Sequence, residues 1–390
     1  MAPFAAAAAA TLTFFLLGDW GGHETYPWTT PGQLATAAGM GAFGGSLPGG
    51  APAFVVALGD NFYALGLCSN WTLAPYNNSC PNATLPETGT ARDHRFSETF
   101  ESVYTAPSLA VPWYVIAGNQ DALGNVSASI AYSALSPRWR HPDFYHAVRV
   151  ADAGGSGVGL DILMLDLTLC YGIWSDPVHD AMCAAQLAWL DAQLAASTAG
   201  FLLVAGHYPV YSACAHGNTQ WAIDTLLPRL VAHNVTAYLS GHDHCGEFMA
   251  PAAAAGLGDL VFVVSGAGDG CCYAGSNVAG VPPGSLKFMQ SAEHNYSTVG
   301  GFASAQIGGG DGMLRFTWHG DQGQQLYTSP PLLPRARAAD GRWAAPNYAA
   351  AGLPAPSAAS PREDYAAAAA ATPAEQQMLL EVLPLEAARS

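Results

Sequence analysis

Short apolar runs punctuate the first two-thirds of the chain. Seven of them are continuous and not alternating: Leu12–Leu17, Phe54–Leu58, Val111–Ala117, Leu160–Leu165, Phe201–Ala205, Ala237–Leu239 and Leu260–Val264. Runs of this length predict strands buried on both faces. The stretches between several of them carry helical patterning, which predicts helices over Gln33–Met40, Phe96–Tyr104, Val126–Leu135, Ala185–Ala196 and Trp221–His233. Strands alternating with helices predict an α/β fold with both sheet faces covered. From about Thr328 the composition shifts to Pro, Ala and Arg. The segment 329–390, through "AAAAAATPAEQQ", is therefore expected to be a disordered, low-complexity tail ending in one short helix.

The residues just beyond the runs are more informative. Five of the seven runs lead into a small residue and then a side chain able to bind a metal. Leu17 leads to Gly18-Asp19, Leu58 to Gly59-Asp60-Asn61, Ala117 to Gly118-Asn119, Ala205 to Gly206-His207, and Leu239 to Ser240-Gly241-His242-Asp243-His244. In open α/β sheets, sites form at the carboxyl ends of strands. Singly, each residue has a bland reading: a turn carboxylate, a helix cap or a core histidine. Two imidazoles two residues apart in an extended "GHDH" can face one centre, which is sharper. Together the five ends supply oxygen and nitrogen ligands for more than one ion, the pattern of a two-metal site. Tyr63, in "GDNFY", reads either as a core aromatic or as a phenolate ligand. A phenolate suits a trivalent cation such as Fe(III) better than Mg or Zn.

Composition narrows the partners. The chain has 390 residues, 13 basic against 29 acidic, and a formal net charge of −16; Lys287 is its single lysine. No basic patch for nucleic acid or an anionic membrane is available, so neither is expected as a partner. An anionic substrate would need another source of positive charge, and a bound metal is one. The longest apolar run, Ala5–Leu17, is too short to span a bilayer; it is read as a buried strand, with a leader expected upstream. Eight cysteines form no zinc-finger spacing. Sequons occur at Asn70, Asn77, Asn82, Asn125, Asn234 and Asn295. Three lie between Cys68 and Cys80 or just beyond, which predicts a disulfide-closed, glycosylated surface loop.

The ordered set "GDWGG", "GDNFY", "AGNQD", "GHYPV" and "GHDH" resembles the motifs of the metallophosphoesterases. The tyrosine in "GDNFY" makes it similar to the purple acid phosphatases. "RFSETFESVY", "VPWYVIAGN", "LLVAGHYPVYS" and "VSGAG" resemble the mammalian-type, tartrate-resistant members. The likeness runs from about Thr11 to Trp318 and sets the expected catalytic domain at 11–328. The resemblance implies a four-layer β-sandwich flanked by helices on both faces. It implies a ferric ion held by Asp19, Tyr63 and His244, and a divalent ion (Fe, Zn or Mn) held by Asn119, His207 and His242. Asp60 would bridge them. Asn119, Gln120 and His216 would contact substrate, with His216 and Gln120 as the candidate catalytic residues. The implied activity is hydrolysis of small phosphate monoesters by a monomeric acid phosphatase, secreted or lysosomal/vacuolar.

The chain also departs from that pattern. The family motif Gly-Asn-His-Asp reads "GNQD" here, so Gln120 stands where relatives place a histidine. One half of the mammalian-type disulfide is replaced by Trp221, and Cys170 is then expected to pair with Cys214. An amide cannot deliver a proton at useful pH. Two alternatives therefore stay open: an enzyme for diesters or nucleotides, and a non-hydrolytic iron or redox protein.

Overall fold

The computed structural model describes residues 11–23, 25–67, 87–308, 310–337, 343–344 and 346–358. Strands β1 (Thr11–Leu17), β2 (Val55–Ala57), β3 (Trp113–Val115) and β4 (Trp139–Arg140) run parallel side by side. The chain then builds a second sheet from β5 (His146–Val150), β6 (Leu160–Met164), β7 (Phe201–Ala205), β8 (Ala237–Ser240), β9 (Gly246–Met249), β10 (Val261–Ser265) and β11 (Leu286–Gln290). It returns to the first sheet with β12 (Gly301–Gly308), β13 (Met313–Gly320) and β14 (Gln325–Thr328), β12 lying antiparallel to β1. Among the described residues each of these two sheets has seven strands, in the orders β14-β13-β12-β1-β2-β3-β4 and β11-β9-β10-β8-β7-β6-β5.

The continuous apolar runs follow from this layering. In β1, Phe14 and Leu16 face the second sheet and meet Ile162, Leu203, Leu239 and Val263. Phe15 and Leu17 point the other way, into an aromatic layer with Trp20, Phe100, Trp113 and Trp139. Successive residues of a strand face opposite sides, so a strand with core on both sides needs no polar face. Helices α1 (Pro31–Ser46) and α3 (Val126–Tyr132) contribute Met40 and Ala128 to the first outer layer; between them lies the single turn α2 (Asn119–Ala122). Helices α4 (Pro177–Ala196) and α5 (Leu227–Ala232) bury Leu190, Leu194 and Leu230 on the outer face of the second sheet. The four layers are those expected.

Three expectations are corrected. The boundary at Thr328 falls inside packed chain: Leu332 bridges to Leu314, and buried Arg335 donates to the Ala199 and His233 carbonyls and to Ser197 Oγ. The Pro/Ala-rich composition hides these anchors; residues 359–390 lie outside those described. Cys170 pairs with Cys183, not Cys214, because α4 lays Cys183 against the turn after β6. Cys214 pairs with Cys245. The helix expected from Phe96 is a π-type turn over Phe96–Glu101. The Cys68–Cys80 loop with Asn70, Asn77 and Asn82 lies outside the described residues. Asn125 is occupied as the N-cap of α3: its Oδ1 accepts from Ala128 N and its Nδ2 donates to the Gly89 carbonyl.

Candidate metal centre

The carboxyl ends of β1, β2, β3, β7 and β8 open on one edge of the sandwich and deliver Asp19, Asp60, Asn119, His207 and His242 to it. The turns are tight. A Cβ on Gly118 would stand 2.3 Å from Asp60 Oδ1, and Gly59, at φ +94°, leaves only 2.6 Å to His207 Nδ1. Glycine is required at both because backbone and ligand side chains approach so closely. Asp19, Asp60 and His242 themselves adopt positive φ, 57°, 52° and 72°. Each costs about 1–2 kcal/mol for a residue with a Cβ, and such strain clusters where a site demands it.

Two half-sites result. In one, Tyr63 Oη donates to Asp19 Oδ1 at 3.0 Å and lies 2.9 Å from His244 Nε2. In the other, Asn119 Oδ1 lies 2.9 Å from both His207 Nε2 and His242 Nδ1. Asp60 stands between them: its Oδ1 is 3.4 Å from His207 Nε2 and accepts from the backbone N–H of Gln120 at 2.8 Å. Ligand atoms of Asp19, Asp60 and His207 lie within 4.8 Å of one another, all three residues buried.

The donor set suits cations. His207 Nδ1 donates to the Leu58 carbonyl at 2.9 Å, which leaves its Nε2 lone pair aimed at the amide oxygen of Asn119. Burial holds His207 and His244 neutral, with pKa values pushed down to about 3. Burial, then the neighbouring Asp60 and Asp269, pushes the Asp19 carboxyl well above its usual range; burial takes Asp60 to about 7. Converging lone pairs and crowded buried carboxylates are what a bound cation compensates. Tyr63, raised by burial and then by Asp19 and Asp60, becomes a phenolate only against strong positive charge.

Residues 12–246 match the family described as calcineurin-like phosphoesterase. The chain is 41% identical over 306 residues to the tartrate-resistant acid phosphatase type 5 of Sus scrofa, which covers 76% of this chain and 80% of that one. The chain belongs to the purple acid phosphatases of the calcineurin-like phosphoesterase family. It is 37% identical to the Homo sapiens tartrate-resistant acid phosphatase type 5 (77% of this chain, 85% of that one) and 30% identical to purple acid phosphatase 3 of Arabidopsis thaliana (73% and 70%). Among solved structures, GAP50, the anchor in the inner membrane complex of Plasmodium, shares the fold at a TM-score of 0.65 and 20% identity, covering 84% of this chain and 90% of that one. Membership in this family implies a metal centre, and the buried cluster of Asp19, Asp60 and His207 offers ligand atoms for one.

Around the centre stand supporting residues: Asp121, expected from the sequence to orient the site, and His216, expected to face substrate, together with Arg95, Asp243, Asp269 and Tyr273, which no motif assigned. Asp121 accepts from Gly118 N (2.9 Å), Asn61 N (3.1 Å) and Asn61 Nδ2 (2.8 Å), so it ties the β3 turn to the β2 turn. Arg95 Nη2 donates to the carbonyls of Gly21 and Tyr63. Tyr273 stacks flat on His244 at 4.4 Å, and His216 stacks on His242 at 4.4 Å. Asp269 Oδ1 lies 3.7 Å from His244 Nδ1. Asp243, inside "GHDH", takes the backbone N–H groups of His216 and Gly217. Asp269 and Tyr273 come after the "VSGAG" strand end, and no spacing rule in the sequence links them to residue 244.

Proposed function

We propose that this protein is an acid phosphatase hydrolysing phosphate monoesters at a binuclear Fe(III)–divalent centre. The observation that carries the reading is the meeting of Tyr63 Oη with Asp19 and His244 beside the Asn119–His207–His242 cluster, with Asp60 between. Asp19, Tyr63 and His244 would hold the ferric ion, Asn119, His207 and His242 the divalent ion (Fe, Zn or Mn), and Asp60 both. When bound, the ions supply charge for the phosphate oxygens and acidify the attacking water. They also explain how so acidic a chain attracts an anion.

The protein's own groups do the rest. The turn Gly118–Asn119–Gln120 is pinned through Asp60 and Asp121, and the Gln120 side-chain amide it carries would donate a hydrogen bond to phosphate. His216, stacked on His242, is the group that would give the leaving oxygen its proton. With the histidine of relatives replaced by Gln120, one general acid remains, and esters with good leaving groups are favoured. Oxidised pairs at Cys170–Cys183 and Cys214–Cys245 support a secreted or lysosomal/vacuolar setting. No helix among the described residues is long and apolar enough to cross a membrane.

The test compares aryl and alkyl phosphates. Wild type should turn over aryl esters faster, and Gln120→His should raise alkyl turnover selectively, by about tenfold or more given the usual worth of a general acid. An unchanged alkyl-to-aryl ratio removes the acid role from position 120. A protein with both metals that hydrolyses neither ester is the non-hydrolytic alternative.

A further inference from the structure

The segment Ser212–Gly217, which carries His216, is clamped to Asp243–Glu247, which carries His244, by more bonds than a loop contact needs. Asp243 accepts from His216 N (2.9 Å), Gly217 N (3.1 Å) and Ser212 Oγ (2.5 Å). Buried Glu247 accepts from Ala213 N (3.0 Å) and Cys214 N (3.0 Å) and shares with Asp243 the single hydroxyl proton of Ser212, whose Oγ lies 3.0 Å away. Between the two carboxylates, fully buried Cys214 and Cys245 are joined. Cys214 precedes His216 by two residues, and Cys245 comes directly after His244. Cys214, Cys245 and Glu247 also satisfy the spacing of a three-ligand metal site. The carboxylate argues against that use, since both its oxygens are already taken by N–H and O–H donors.

We propose that the Cys214–Cys245 disulfide, with Asp243 and Glu247, sets the position of His216 over the metal-ligand segment and so governs proton delivery to the leaving group. This rests on the phosphatase reading of His216. The cysteines touch no substrate; they are positioning residues. The two carboxylates fix the backbone of the segment at its ends, and the covalent link removes the remaining freedom at Cys214. His216 then sits as a stacked plate on His242, with Tyr273 at right angles to it 5.2 Å away. The bond forms by exchange with a disulfide of the oxidising compartment, such as glutathione disulfide. Two thiols here lose two hydrogens and two electrons, and the partner disulfide becomes two thiols.

The experiment uses the full-length protein loaded with both metals. Substitutions replace thiol reagents, because a reductant would also reduce a ferric ion. Cys214→Ser/Cys245→Ser is compared with Cys170→Ser/Cys183→Ser, which removes a disulfide that takes no part in the Asp243 and Glu247 bonds. The first pair should lower kcat on alkyl phosphates about tenfold more than on aryl phosphates, by analogy with the rate cost of small misplacements. Added to His216→Ala it should change nothing further. The second pair should leave the alkyl-to-aryl ratio as in wild type. Equal losses on both ester classes, or additive loss with His216→Ala, would overturn the positioning role. A third equivalent of zinc in wild type that vanishes in Cys214→Ser/Cys245→Ser would overturn it in favour of a metal site. Amide hydrogen exchange gives a readout independent of turnover: protection at Ala213, Cys214, His216 and Gly217 should fall at least tenfold in the first pair alone. Unchanged protection refutes the clamp even in a protein that hydrolyses no ester, so failure of the phosphatase reading and failure of this one are told apart.

Discussion

Replacing Asp121 with alanine tests whether the site is held together from behind. Asp121 is buried and contacts no ion in the proposed ligand set, yet it receives three donors: Gly118 N, Asn61 N and Asn61 Nδ2. Asp121→Ala leaves Gly118 N and Asn61 N without their side-chain acceptor and Asn61 Nδ2 with the Ile116 carbonyl alone. A buried unsatisfied donor costs about 1–3 kcal/mol, and losses within one network add incompletely. Removing the carboxylate also removes its own burial cost, which lifts its pKa to about 7 together with repulsion from Asp60. The net loss should therefore fall at about 3–5 kcal/mol. At about 2 °C per kcal/mol for a domain of this size, the melting temperature should drop about 6–10 °C. The functional loss should exceed the thermal one, because the same bonds set the distance between Asn119 and Asp60. Asp121→Ala should hold fewer than two metals per chain by elemental analysis, while Asp121→Asn, which keeps one acceptor oxygen, should fall between it and wild type. A variant that keeps both metals and melts within about 2 °C of wild type would show that the turns hold themselves and that the reasoning is wrong.

Two further outcomes test separate parts of the molecule. A Tyr63 phenolate on Fe(III) should give a visible charge-transfer band, and Tyr63→Phe should abolish it; a band that survives, or a colourless protein with two zinc ions, refutes the ferric half-site. The second concerns acid stability. His141 is fully buried against Ser129 Oγ, and burial, then His146, pushes its pKa down to about 3. Because the folded pKa lies below the unfolded one of about 6.5, the neutral ring's contribution is complete above about pH 6.5 and is lost as pH falls toward 3. Between pH 6.5 and 4.5 that loss is about 2–3 kcal/mol. In His141→Gln the stability difference between those two pH values, measured by urea titration, should shrink by about that amount; an unchanged pH dependence would refute it.

The strand runs, most of their helical covers and the candidate ligands at the five strand ends leave a local mark along the chain, whereas Tyr63 is told from a core aromatic only by resemblance. A strand between two cores is apolar at every position, as β1 is with Phe14 and Leu16 on one side and Phe15 and Leu17 on the other. A ligand at a strand end comes directly after its run, behind a glycine. Strands β12 and β13 left no such mark. "GFASAQIG" breaks its apolar Phe302 and Ile307 with Gly, Ser and Gln, and "MLRFTWHG" alternates Leu314, Phe316 and Trp318 with half-buried neighbours, so neither reads as a continuous run. The tail beyond Thr328 misled in the opposite direction, since Leu332 and Arg335 anchor it in spite of its composition.

The surroundings of the ligands were decided by tertiary structure alone. Residues 121 and 61 meet because β2 and β3 are neighbours, and residues 214 and 245 meet because two strand-end loops of one sheet close over the same edge. Sequence distance carries no information about such pairs. The cysteine pairing shows this most directly. Counting and motif comparison joined Cys170 to Cys214, whereas packing of α4 brought Cys183 to Cys170 and freed Cys214 for Cys245. A ligand's chemical type is a property of its residue and can be read one position at a time. Its orientation, charge state and support are properties of what folds against it, and those exist only once the two sheets have closed.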